Sequence, residues 1–169
     1  EDRRYFSEEG LKKGSSFVAR TMAENHWGTI VVGLTGQESR ARLFPDKLMD
    51  ALLNLTAGEG RQAGRSGVIW GRITKNGQAI PGARVEMAGD HQQHPHYFNS
   101  LVLPDRFAEA TGENGTFAFV EVTPGIQSVR VIYMGQAWPA QIIPVERGHV
   151  SYLDFELGSP ESVPLEIFD

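Results

Sequence analysis

Between Gly67 and Leu157 the sequence runs as short β-branched and aromatic stretches separated by turn residues, and this punctuation limits the possible fold more than any other feature. Gly67–Thr74, Ala83–Ala88, Thr116–Val122, Gln127–Tyr133, Ala140–Glu146 and His149–Leu157 each read as a strand. Asn76-Gly77 supplies the positive φ angles of a tight hairpin turn, and Asn114-Gly115, Pro124-Gly125, Met134-Gly135 and Arg147-Gly148 mark further reversals. In the last stretch Ser151, Leu153, Phe155 and Leu157 share one side, while Tyr152, Asp154 and Glu156 share the other. That alternation predicts one face toward a core and one toward water. Short strands with no helix between them close most naturally as two facing sheets.

The preceding part is mixed. Ser16–Met22 and Gly28–Leu34 are apolar and β-branched enough for strands, with a turn at Glu24-Asn25-His26. A short helix is expected next. Pro45 suits its first turn, Asp46 its positive dipole end, and Leu48, Met49, Leu52, Leu53 and Leu55 recur at helical spacing up to Thr56-Ala-Gly58. The organisation expected is thus a small α/β segment over 1–55, a Gly-rich linker over 56–66, a β-sandwich over 67–157 and a tail over 158–169. Two strands and a helix are too little for a core of their own. The first segment is therefore expected to pack on the second, or to be the tail of a preceding domain. Residues 1–14 are polar and expected to fray.

Charge and composition exclude several classes. Ten Lys/Arg face nine Asp/Glu in residues 1–66, and six face twelve in 67–169, within a net charge of −5 that argues against nucleic acid as a partner. No run approaches eighteen apolar residues, so no membrane insertion by a helix is expected. The absence of cysteine removes disulfides, thiolate metal sites and cysteine nucleophiles. A start at Glu1, without Met or leader, reads as a mature form or a piece of something longer.

Two motifs in order carry a family likeness. The stretch from Gly67 to Val85, Gly-Val-Ile-Trp-Gly-Arg-Ile-Thr-Lys-Asn-Gly-Gln-Ala-Ile-Pro-Gly-Ala-Arg-Val, resembles the opening of carboxypeptidase regulatory-like domains. Thr111–Gly125, with Glu-Asn-Gly-Thr-Phe and Val-Thr-Pro-Gly, is similar to that family's second signature. These domains belong to the prealbumin-like (transthyretin-like) Greek-key sandwiches. The resemblance covers residues 67–157 and implies a mainly β fold of about seven strands, preceded here by the small α/β segment with one helix. It also implies an accessory, spacer or adhesive role outside the cytoplasm, at the cell envelope or in a secreted protein. Nothing in residues 1–66 resembles a known family.

The sequence departs from that pattern between Ala88 and Thr111, where Gly89–Ala110 form a long insertion. Connections beyond about 12–15 residues are usually functional or disordered. This one holds Tyr97, Phe98, Leu101, Leu103 and Phe107, too apolar for open water, so it is expected to fold back on the sandwich or meet a partner. Tyr97, Phe98 and Phe107, with Trp138 at a strand entry, are the candidate contacts for a protein or carbohydrate partner, or for other domains of the parent chain. Trp70, in mid-strand, is expected in the core. Exposed strand edges would also permit strand addition by a partner.

His91, His94 and His96 are the alternative site. Two imidazoles at His-Pro-His spacing can lie on one side of an extended chain and hold a divalent or ferric ion, with Asp90 or Tyr97 completing the set. A polar loop rich in solvated histidine is the plainer reading. The related intradiol dioxygenases carry their His-x-His pair after the equivalent of Pro124-Gly125, so those ligands do not transfer. No Gly-x-Ser-x-Gly elbow, His-Glu-x-x-His helix or Asp-x-Asp-x-Asp-Gly loop occurs, and no lysine lies in the first sandwich strand for an isopeptide bond. The expectation is a non-catalytic binding module without cofactor, using the 89–110 insertion as its recognition loop.

Overall fold

Turn chemistry sets the element boundaries in the computed structural model, which describes residues 16–34, 41–56, 65–88 and 93–158. β1 (Ser16–Thr21) and β2 (His26–Leu34) form an antiparallel hairpin around Asn25, whose φ is 59°. β3 (Phe44–Pro45) returns to pair with the start of β2, and α1 (Asp46–Thr56) follows. Next come β4 (Gly67–Lys75), β5 (Gln78–Ala79), β6 (Arg84–Met87), β7 (His96–Phe98), β8 (Pro104–Asp105) and β9 (Thr116–Val122). The chain closes with β10 (Gly125–Tyr133), β11 (Gln136–Ala137), β12 (Gln141–Val145) and β13 (His149–Glu156). The described part of the protein is mainly β, with two facing sheets and one short helix. Among the described residues, no helix is long and apolar enough to cross a membrane.

The larger sheet has the order β1-β2-β13-β4-β9-β7-β8, with β3 added on β2 and β5 on β4. The smaller has β11-β10-β12, with β6 on β10. The described residues 16–34 and 41–56 therefore share a sheet and a core with residues 65–88 and 93–158. The join is β13, parallel to β2 from His149↔Gly28 to Tyr152↔Val31, and parallel to β4 from Val150↔Val68 to Glu156↔Thr74. Of the connecting residues 56–66, those from 57 to 64 lie outside the described part, as do residues 1–15 and 159–169 of the expected N-terminal and C-terminal tails.

One core lies between the sheets. Ile69, Ile73, Phe117, Phe119, Leu153 and Phe155 of the large sheet meet Val85, Met87, Val129, Val131, Ile143 and Val145 of the small one. Phe117 and Phe119 enter it from one face, with ring centroids 6.0 Å apart and edge-on. A second core covers the other face of the large sheet, where α1 seats Met49, Leu52 and Leu53 against Trp70, Ala118, Val120, Val150 and Tyr152. Trp70 is buried as expected, its ring 5.3 Å from that of Phe44. Each such aromatic or aliphatic burial stabilises by about 1.5–3 kcal/mol. The result is three layers: small sheet, large sheet, helix.

The structure departs from the sequence reading in several details, the first of which follows from that third layer. β13 does not expose a whole face: Val150 and Tyr152 lie under α1 and Phe44, and only beyond them, at Asp154 and Glu156, does the alternation reach water. A strand flanked by parallel neighbours is buried on both sides wherever a helix covers it. Pro45 belongs to β3 rather than to the first helical turn, and only the middle of the expected stripe is buried, with Leu48 and Leu55 exposed. Asn76 and Gly77 do make a tight turn, with φ of 54° and 74°. Its second strand, however, is the two-residue β5, after which the chain crosses over and β6 pairs with β10 in the other sheet.

Candidate functional site

The described part of the insertion, residues 93–110, folds onto the large sheet as a miniature hairpin. β7 pairs with β9 through His96↔Ala118 and Tyr97↔Phe117, and β8 pairs with β7. Period two sends the side chains of β7 to opposite faces. Tyr97 turns into the seam between the sheets, where its hydroxyl oxygen accepts a hydrogen bond from the backbone N–H of Val85 at 2.9 Å. Phe98 turns to the helix side, its ring centroid 4.7 Å from that of Trp70. Both are buried, so these two expected contact residues are framework rather than recognition surface. Their work is to clamp the insertion in place, and burial pushes the Tyr97 phenol above its ordinary value.

What the clamp holds out is the loop between β7 and β8. Asn99 Oδ1 accepts from the amides of Leu101 (3.0 Å) and Leu103 (3.1 Å), and Asn99 N donates to the Leu103 carbonyl at 3.0 Å. The Asn99 carbonyl in turn accepts from Val102 N at 2.9 Å and from Asn114 Nδ2 at 2.6 Å. Val102 sits at φ 59°, a conformation that a β-branched residue adopts only under constraint. Just beyond, Asp105 Oδ1 accepts from Phe107 N at 3.0 Å and fixes the following turn. The loop is thus tightly cross-bonded, yet it shows apolar side chains to the outside: Phe107 is 94% exposed and Leu101 76%, and Val102 and Leu103 are exposed beside them. Of the sequence-stated contacts only Phe107 faces outward. Leu101 and Leu103 join it, held by Asn99, whose place ahead of Ser-Leu was the one local sign of such a turn.

Trp138 is not an exposed anchor either. It packs against the core between the sheets, its backbone N–H donating to the Val131 carbonyl at 2.8 Å. Its indole Nε1 is buried without a hydrogen-bond partner. The flat indole fills the space where the chain leaves β11, and the neighbouring exposed apolar residue is instead Met134, at the hairpin tip with φ 51°.

His94 and His96 line a cleft of ≈ 670 Å³ together with Arg84, Asp105, Arg106 and Glu109. Burial pushes the His96 imidazole below its ordinary value, so it is neutral near pH 7. His91 lies outside the described residues. Among those described, no three His, Asp or Glu side chains are grouped so as to hold a metal ion. His94 and His96 are the residues available for one, and the acids that share the cleft with them are Glu86, Asp105 and Glu109. No family model matches the chain, and no curated protein matches it.

Proposed function

We propose that this chain is a non-catalytic binding module, a prealbumin-like sandwich akin to carboxypeptidase regulatory-like domains, within a larger envelope or secreted protein. In this reading it recognises its partner with the tip of the 89–110 insertion. The contacts are Leu101, Leu103 and Phe107, with Tyr97 and Phe98 as their foundation. The observation that carries the reading is the combination of stiffness and exposure at residues 99–107. A loop held by six hydrogen bonds, with Val102 left-handed, loses little conformational entropy on binding. Water gains nothing from an apolar tip, and clustered exposed apolar side chains mark interaction sites. The extracytoplasmic location rests on the family resemblance.

The test is site-specific photo-crosslinking in the full-length parent within its native cells. A photoreactive phenylalanine analogue at Phe107 is expected to yield one dominant adduct that disappears when Leu101 and Leu103 are changed to Ser. The same analogue at Gln136, on the exposed far hairpin, serves as control. Equal or indiscriminate adducts from both positions would refute the reading.

A further inference from the structure

Edges of β-sheets attract other strands, and folded proteins blunt them by shortness, proline, charge, bulges or cover. Most edges here are blunted. β8 has two residues and begins at Pro104, β12 contains Pro144, and β11 has two residues with Pro139 close behind. The outward amide of Val85 on β6 is capped by the Tyr97 hydroxyl. Among the described residues, β1 carries one of these devices alone, a single charge. It is six residues long, contains no proline or lysine, and keeps an unbroken register with β2 from Ser16↔Leu34 to Thr21↔Thr29. Its one charge, Arg20, is already held by Glu146 in a bidentate ion pair. Among the described residues no strand pairs with its outer side.

From this edge we infer that a second copy of the chain adds its own β1 antiparallel to the first, about a two-fold axis perpendicular to the sheet beside Val18. Side chains directly opposite must share a face, so residues of equal parity pair across the axis. With Val18 on the axis, Val18 meets the partner's Val18 on the face that carries Val32, where it is 45% exposed in the single chain. Phe17 meets the partner's Ala19 on the helix face, and Arg20 meets the partner's Ser16. No like charges oppose each other. Moving the axis one residue, to Ala19, would instead bring the charged Arg20 against the partner's Val18; each register leaves one end residue of β1 outside the pairing, Thr21 in the first and Ser16 in the second. The sequence Ser-Phe-Val-Ala-Arg is therefore self-complementary in one register. The resulting sheet runs unbroken through both copies, and the interface, a single strand pair, is small, so association is weak and concentration-dependent.

The chain has no cysteine, which makes the test direct. Opposed Cα atoms in an antiparallel pair lie about 4.5–5.5 Å apart, within disulfide reach. Val18→Cys is expected to give a covalent dimer rapidly under mild oxidation, while the exposed control Gln136→Cys gives little. Sedimentation velocity of the unmodified full chain from about 1 to about 300 µM is expected to show a shift from monomer to dimer. Val18→Lys, which places two like charges on the axis, is expected to stay monomeric with an unchanged circular dichroism spectrum. The inference is overturned if the unmodified chain stays monomeric throughout, if the Lys variant still dimerises, or if the two cysteine variants cross-link at the same rate.

Discussion

Replacing Tyr97 by Phe removes one oxygen from the seam between the sheets and leaves the ring in place. The Val85 amide, which donates to that oxygen at 2.9 Å, then has no partner in a buried setting. Val85 cannot turn elsewhere, because β6 is fixed to β10 by the pairs Val129↔Met87 to Ile132↔Arg84. An orphaned buried donor costs about 1–3 kcal/mol, and the volume lost is too small to add much of a cavity term. For a protein of this size about 2 kcal/mol corresponds to a melting-temperature drop of about 4–8 °C. Equilibrium urea unfolding should show the same loss as a lower midpoint at unchanged slope, since the exposed surface is the same. A change below about 0.5 kcal/mol would mean that the seam is wet or that β6 relaxes, and the clamp argument would fail.

Gly71→Ala should destabilise by about 1–3 kcal/mol, because a methyl there would run into the Phe117 ring at the centre of the core; thermal melts measure it, and a neutral result would show that the ring can move. Burial raises the Tyr97 and Tyr152 phenols above their ordinary value of about 10. Their contribution is therefore complete below about pH 10 and is lost as pH rises past it through the folded-state values, because the unfolded chain ionises first. Urea midpoints between about pH 8 and 11 should fall, and the double Phe variant should flatten that slope. Burial lowers His96, so stability should also decline as pH falls below about 6.5, where the unfolded imidazole takes up its proton, and His96→Gln should remove that part of the acid limb. Purified protein at saturating zinc, copper or iron should retain no stoichiometric metal; one bound ion lost on changing His91, His94 and His96 to Ala would establish the alternative site.

The turns and the inter-sheet core were legible because each depends on nearby residues. Asn76-Gly77 and Met134-Gly135 adopt left-handed backbone where the dipeptides suggest it, and Phe117 and Phe119 follow the period-two rule into the core. What depends on distant partners was not. Gly71 lies inside a strand rather than a turn, and only the fold shows that Phe117 needs the space. Tyr97 and Phe98 are aromatic in a long insertion, which reads equally as contact or as foundation. The burial of both follows from Val85 and Trp70, remote in sequence. The stiffness of the tip comes largely from Asn99, whose side chain accepts two amides of the loop and whose carbonyl accepts from the Asn114 side chain, bonds that a composition-based reading passes over. The pairing of β13 with β2 spans more than a hundred residues and leaves no local trace at all.

The position of β13 has a bearing on how the molecule comes to exist. One strand from the start of the described chain, β2, and one from its middle, β4, rest against this one late segment, so a nascent polypeptide lacking it has two half-sheets with an open gap and no shared ladder to close. Assembly must wait for the C-terminal side to emerge, and contacts so far apart in sequence make that final closure slow. Until then the β1–β2 hairpin lacks the strand it joins and the helix has only part of its seat, Trp70, Ala118 and Val120, which makes the interval during synthesis, more than the finished protein, the stage at which a chaperone or protease decides its fate.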